Sequence, residues 1–163
     1  MPMTRWRSLR LGLGCLILLQ PAPAQTGGIL SCSISTTALV FGQYVPSRNG
    51  SSDLTATVQV TCTSSGVPVP VEGSISLIGR GANGRRELTD GAHRLSYQLF
   101  LDPGRSIPWG DGSGESRTQS ISGVAGDATP FRATVIVYGR ILARQAEASV
   151  GSYSDQITAV LRY

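Results

Sequence analysis

Few side chains in this chain could do covalent chemistry. His93 is the single histidine among 163 residues. A Ser–His–Asp hydrolase would have to use it as base, yet it sits between the Asp90-Gly91 turn and the start of an alternating run. No Gly-x-Ser-x-Gly elbow presents a nucleophile to it, so His93 reads as an exposed or capping residue. Gly79-Arg-Gly81-Ala-Asn-Gly84 matches G-x-G-x-x-G. A dinucleotide site needs a helix next, to hold pyrophosphate at its N-terminus. Here another strand follows, so the segment reads as a hairpin loop. Asp111-Gly-Ser-Gly-Glu115 lacks the later carboxylates of a calcium loop and reads as solvated. No catalytic, cofactor or metal-binding residue is expected.

The two cysteines of the exported part, Cys32 and Cys62, carry the one covalent event expected. An even pair in an exported chain defaults to a disulfide. The alternative, a metal or redox pair, lacks partner ligands and Cys-x-x-Cys spacing. The bridge closes a loop of roughly 30 residues, contributing about 3–4 kcal/mol in the chain-entropy model.

Export is read from residues 1–24. Arg5, Arg7 and Arg10 form a basic region, Leu11–Leu19 an apolar core, and Ala22-Pro23-Ala24 a small-residue cleavage site. The apolar run is far below the roughly 20 residues of a spanning helix. Gly12-Leu-Gly-Cys15 imitates a lipoprotein cleavage site, but lies too early, inside the apolar core. Residues 25–163 suffice for one domain with a real core, and no later run is long enough to span a bilayer.

The basic balance of the whole chain, +4, misleads. There is no lysine, and three of the 14 arginines lie in the signal, leaving 11 against 10 acidic residues. No arginine cluster exceeds Arg85-Arg86, so nucleic-acid binding has no electrostatic footprint.

The elements that must position these residues follow a period of two. Leu54, Ala56, Val58, Val60 and Cys62 alternate with polar residues. Leu95, Tyr97, Leu99 and Leu101 alternate with Ser96, Gln98 and Phe100, and Phe131, Ala133, Val135 and Val137 with Arg132, Thr134 and Ile136. Ile157, Ala159, Leu161 and Tyr163 form the last such run. Shorter strand candidates are Ala38–Gly42, Val69–Val71 and Ser74–Ile78. Asn49-Gly50, Ser65-Gly66, Asn83-Gly84, Asp90-Gly91, Asp102-Pro103-Gly104 and Asp111-Gly112 punctuate them as turns. Ile141–Ala148 is the strongest helical candidate but reads as a loop, and Trp109–Gly126 reads as a mobile Gly- and Ser-rich loop. About seven short strands argue an all-β sandwich. Trp109, Tyr44 and Tyr138 read as core aromatics. Asn49-Gly50-Ser51 fits a glycosylation sequon, which carries little weight.

The order of several motifs resembles one family. Cys32 lies shortly before Phe41-Gly-Gln-Tyr44, and Cys62 ends an alternating run. Arg94–Asp102 is followed by Trp109-Gly-Asp-Gly112. Val137-Tyr-Gly-Arg140 precedes Gly151-Ser-Tyr-Ser-Asp155, and the last run ends in Tyr163. Together they resemble the spore coat protein U domain, which includes subunits of archaic chaperone–usher pili. The resemblance implies an immunoglobulin-like sandwich, incomplete because its final strand is missing. A periplasmic chaperone, and then the N-terminal extension of a neighbouring subunit, would fill the groove by strand addition. An outer-membrane usher and other pilus subunits are the remaining partners implied. Phe41, Tyr97, Tyr138, Leu161 and Tyr163 are the candidate residues for groove or core packing.

One departure stands out. Only Gln25–Ser31 precedes Cys32, with two glycines and one apolar pair, which makes a poor donor strand. The chain is thus expected to accept a donor and donate poorly, as a tip or minor subunit would. The competing reading is a stand-alone secreted adhesive module with a closed sandwich.

Overall fold

The structure is a computed structural model that describes residues 27–46, 50–79, 86–145 and 148–163. The signal segment, Asn49 of the sequon and of the Asn49-Gly50 turn, and most of the G-x-G-x-x-G stretch lie outside the described residues. Among the described residues, eight strands form two antiparallel sheets: β1 (Ile29–Thr36), β2 (Ser52–Ser65), β3 (Val69–Ile78), β4 (Arg86–Asp90), β5 (His93–Phe100), β6 (Gln119–Ala125), β7 (Phe131–Ile141) and β8 (Thr158–Arg162). One sheet has the order β1-β2-β7-β5-β4 and the other β6-β3-β8. Among the described residues there is no helix, so none is long and apolar enough to cross a membrane.

The period-two pattern selects this fold because each strand has one wet and one dry face. In β2, Val58, Val60 and Cys62 are at most 1% exposed, while Thr57, Gln59 and Thr61 point outward. Val71, Ile75 and Leu77 of β3 meet them from the other sheet, with Leu95, Tyr97 and Leu99 of β5 completing the interior. Ser65-Gly66 and Asp90-Gly91 supply the turns, with Gly66 and Gly91 in the left-handed region that glycine enters without a Cβ clash.

Several expectations are corrected. Trp109–Gly126 is not a loose loop, because its second half is β6, paired with β3 from Val69↔Ala125 to Ile75↔Gln119. Trp109 is fully buried. Its amide donates to the Leu99 carbonyl at 2.8 Å and its indole Nε1 to the Ile75 carbonyl at 3.0 Å, so it stitches the two sheets together. Ala38–Gly42 is not a strand. It packs on the face of β7, where Leu39 and Phe41 lie over Gly139, and a Cβ at Gly139 would lie 2.5 Å from Leu39. Val69–Val71 and Ser74–Ile78 are one strand, running through Gly73. Within Ile141–Ala148, read as a loop, 142–145 are irregular, and only Ile141 differs, as the last residue of β7.

Tyr138 is the remaining correction. Val137, Gly139 and Ile141 are the buried positions of β7, so alternation turns Tyr138 to the outer face. There its ring lies 5.8 Å beneath the Arg105 guanidinium, beside the bidentate Arg140–Asp53 pair, whose two bonds are both 2.7 Å. It therefore takes no part in the interior.

Candidate functional site: an open edge between two sheets

An alternating strand needs partners on both sides, and β1 and β8 each have only one. β1 pairs with β2 alone, and β8 with β3 alone. They lie on the same side of the sandwich, close enough to touch across the gap. The inward side chains of both remain half-buried: Leu30, Cys32 and Ile34 on one rim, Ala159 and Leu161 on the other, with Ile157 just before β8. The residues that pair with the β8 rim in β3, Leu77↔Ala159 and Ile75↔Leu161, are 4% and 0% exposed. The interior is thus complete at its centre and open along one seam.

The register of β1 fixes which backbone groups face that seam. Cys32 is opposite Cys62, with Cα atoms 4.0 Å apart and the sulfurs bonded. So close a pair belongs to the type that exchanges no backbone hydrogen bonds. The Thr37 amide, five residues on, donates to the Thr57 carbonyl at 3.0 Å. The odd residues of β1 therefore bond β2, and the amides of Leu30, Cys32 and Ile34 aim at the seam. One of them is occupied: the Cys32 amide donates to the Tyr163 hydroxyl at 3.3 Å. The disulfide thus ties an edge strand to its single neighbour.

Two polar arrangements bound the groove. At one end the Tyr163 side chain reaches from β8 to β1, and the absence of a side chain at Gly73 leaves room for the chain there; a Cβ would lie 2.6 Å from the Arg162 carbonyl. At the other end the Tyr97 hydroxyl donates to Asp155 Oδ2 at 2.7 Å, while the Gln156 amide donates to Oδ1 at 2.8 Å. Burial, with Asp155 as acceptor, pushes the Tyr97 phenol well above its usual range. Arg86, opposite Tyr97 in the β4–β5 ladder, is buried and donates to the Leu77 and Trp109 carbonyls at 2.7 and 3.3 Å. Desolvation depresses its pKa. Between these ends, a cavity of about 260 Å³ opens between the Thr36–Phe41 segment and Ile157–Ala159.

Of the residues singled out from sequence, Cys32 and Cys62 are bonded, and Phe41 and Tyr97 line the cavity as an edge-to-face pair at 6.0 Å. Leu161 and Tyr163 stand on the β8 rim, and Tyr138 is elsewhere. Sequence reasoning missed Asp155, which lies 58 residues from Tyr97, and missed the role of Gly139. His93 is exposed at the start of β5. Asp111 bonds Ser113 within its own turn, at 2.6 and 2.9 Å. Among the described residues no group of three His, Cys, Asp or Glu side chains is placed to hold a metal ion.

No curated protein matches the chain. Among solved structures, it is similar in fold to a chain of the CsuC-CsuE chaperone-tip adhesion subunit pre-assembly complex from archaic chaperone-usher Csu pili of Acinetobacter baumannii. That similarity has a TM-score of 0.53 at 16% identity, and covers 83% of this chain and 40% of that one. The protein therefore spans well under half the length of that neighbour. The family model of the Spore Coat Protein U domain matches residues 25–160, a span that holds β1, the disulfide and the first residues of β8. This chain belongs to the spore coat protein U domain family.

Proposed function

We propose that the protein is a non-enzymatic structural subunit of a chaperone–usher assembled surface fibre or coat, exported through the periplasm. Its open seam would accept a β-strand from another chain. The observation that carries this reading is the pair of free edges, β1 and β8, facing each other over half-buried apolar side chains. An added strand would pair with both edges by backbone hydrogen bonds, and its alternate apolar side chains would complete the interior. Left open, such an edge is an aggregation hazard, which is the physical reason for a chaperone. The partners are a periplasmic chaperone first, a neighbouring subunit afterwards, and an outer-membrane usher at assembly.

The position in the fibre is inferred from the N-terminal side. Ile29–Ser31 are already part of β1, so the one apolar pair before Cys32, Ile29-Leu30, is committed to the domain's own sheet. This favours a subunit that accepts a strand but donates poorly, as at a tip or minor position.

The test is export of the full chain to a bacterial periplasm, with and without the chaperone of its own pilus system, followed by size-exclusion chromatography. Recovery only as a one-to-one complex supports the reading. A stable, cooperatively folding monomer without chaperone overturns it in favour of a self-contained adhesive module.

A further inference from the structure

The groove is not uniform along its length. The cavity of about 260 Å³ is walled by three alanines, Ala38, Ala56 and Ala159, where a leucine at any one would fill much of the space. Its volume exceeds the roughly 150 Å³ apolar cavity that accommodates benzene. The Phe41 and Tyr97 rings stand edge-to-face in its lining, an arrangement that a further ring extends favourably.

One end of this cavity is polar. The Asp155 carboxylate lies there, accepting from the Tyr97 hydroxyl on Oδ2 and the Gln156 amide on Oδ1. Each carboxylate oxygen has a second lone-pair site, and no described arginine lies within ion-pair distance of Asp155. A purely apolar side chain would fill the volume and strip water from this carboxylate without replacing it, which is costly. A ring with a hydrogen-bond donor at its far edge meets both demands.

We propose that this cavity selects one tyrosine or tryptophan side chain on the incoming strand, with its ring between the three alanines and its O–H or N–H donated to Asp155. The proposal rests on the strand-accepting reading above and adds the side-chain chemistry of the partner.

The test uses the purified chaperone complex of the full chain and a set of alternating apolar peptides. The peptides differ at one inward position, which carries Ala, Phe, Tyr or Trp and is moved along the strand to sample register. Exchange is read as released chaperone. At the best register, Tyr and Trp should bind about tenfold tighter than Phe, from the added bond to a charged acceptor. Phe should in turn exceed Ala by about thirtyfold, as for a buried anchor. Ala159→Leu should abolish the preference for a ring. If every peptide exchanges equally well, the groove accepts strands but the selective pocket is overturned. If none exchanges, the strand-accepting reading falls as well. The peptide series on the unaltered protein decides the matter even where Ala159→Leu fails to fold.

Discussion

The Tyr163 hydroxyl accepts a hydrogen bond from the Cys32 amide at 3.3 Å, joining the last residue of the chain to the disulfide-anchored edge strand. It is the point where the two open rims are bridged by a side chain in place of a strand. Tyr163 remains 56% exposed, so the bond contributes at the low end of the usual 0.5–1.5 kcal/mol range. Tyr163→Phe should leave global stability within about 0.5 kcal/mol and speed hydrogen exchange at the Cys32 amide. Unchanged exchange at that amide would show that the tyrosine does not hold the edge.

The Cys32–Cys62 bridge links β1 to its single neighbour across a separation of 30 residues. Cys32→Ser should cost about 2–5 kcal/mol, read as a shifted denaturation midpoint, and reductant should reproduce the loss in the unaltered protein. The detached strand should be β1, so exchange should rise first at Leu30–Thr36. A denaturation curve indifferent to reductant would contradict this.

Trp109 is fully buried and bonded to the backbone of β3. Trp109→Ala should destabilise by about 3–5 kcal/mol through lost burial and a residual cavity. Trp109→Phe keeps most of the bulk but leaves the Ile75 carbonyl without the indole donor, costing about 1–3 kcal/mol. Protease resistance and thermal dissociation of each variant's chaperone complex measure the order Ala worse than Phe.

Asp53 is held below the usual carboxylate range first by the hydrogen-bonded Arg140 guanidinium, with burial opposing and Arg105 adding attraction. A depressed folded pKa means that its stabilising contribution is fully present above the unfolded value near pH 4. That contribution is lost as pH falls through the folded value. Acid titration of unfolding should therefore show a loss of stability below about pH 4 that Asp53→Asn reduces. Identical acid profiles for the two proteins would refute the assignment.

The strands with unbroken alternation, β2, β5, β7 and β8, are legible in the sequence because each has a continuous dry face. β6 is not. Ile121 and Ala125 are its only buried positions, with Gly123 between them, and pairing with β3 makes it a strand. β4 likewise has Leu88 as its single buried apolar residue. Tyr138 was misplaced by its size, although the alternation around Val137 already turns it outward. The β8 wall is legible in the alternation of residues 157–163, whereas β1 is absent from the expected strands: Leu30, Cys32 and Ile34 alternate with serines, but the run is short and only pairing with β2 makes it a strand. That the two walls meet along one open seam depends on sheet order, which no local pattern encodes. The Tyr97–Asp155 contact is equally non-local.

The most direct measurement is amide hydrogen exchange of the isotope-labelled protein in complex with its chaperone, compared with the same protein carrying a bound donor peptide. Strand addition at the seam predicts protection in both complexes at the outward amides of Leu30, Cys32 and Ile34 and along β8. It predicts no gain at β6 or β4, the other sheet edges among the described strands, of which β4 is already bonded at Thr89 to Ser154. Protection confined to β4 or β6, with the β1 and β8 edges still exchanging freely, would contradict the account.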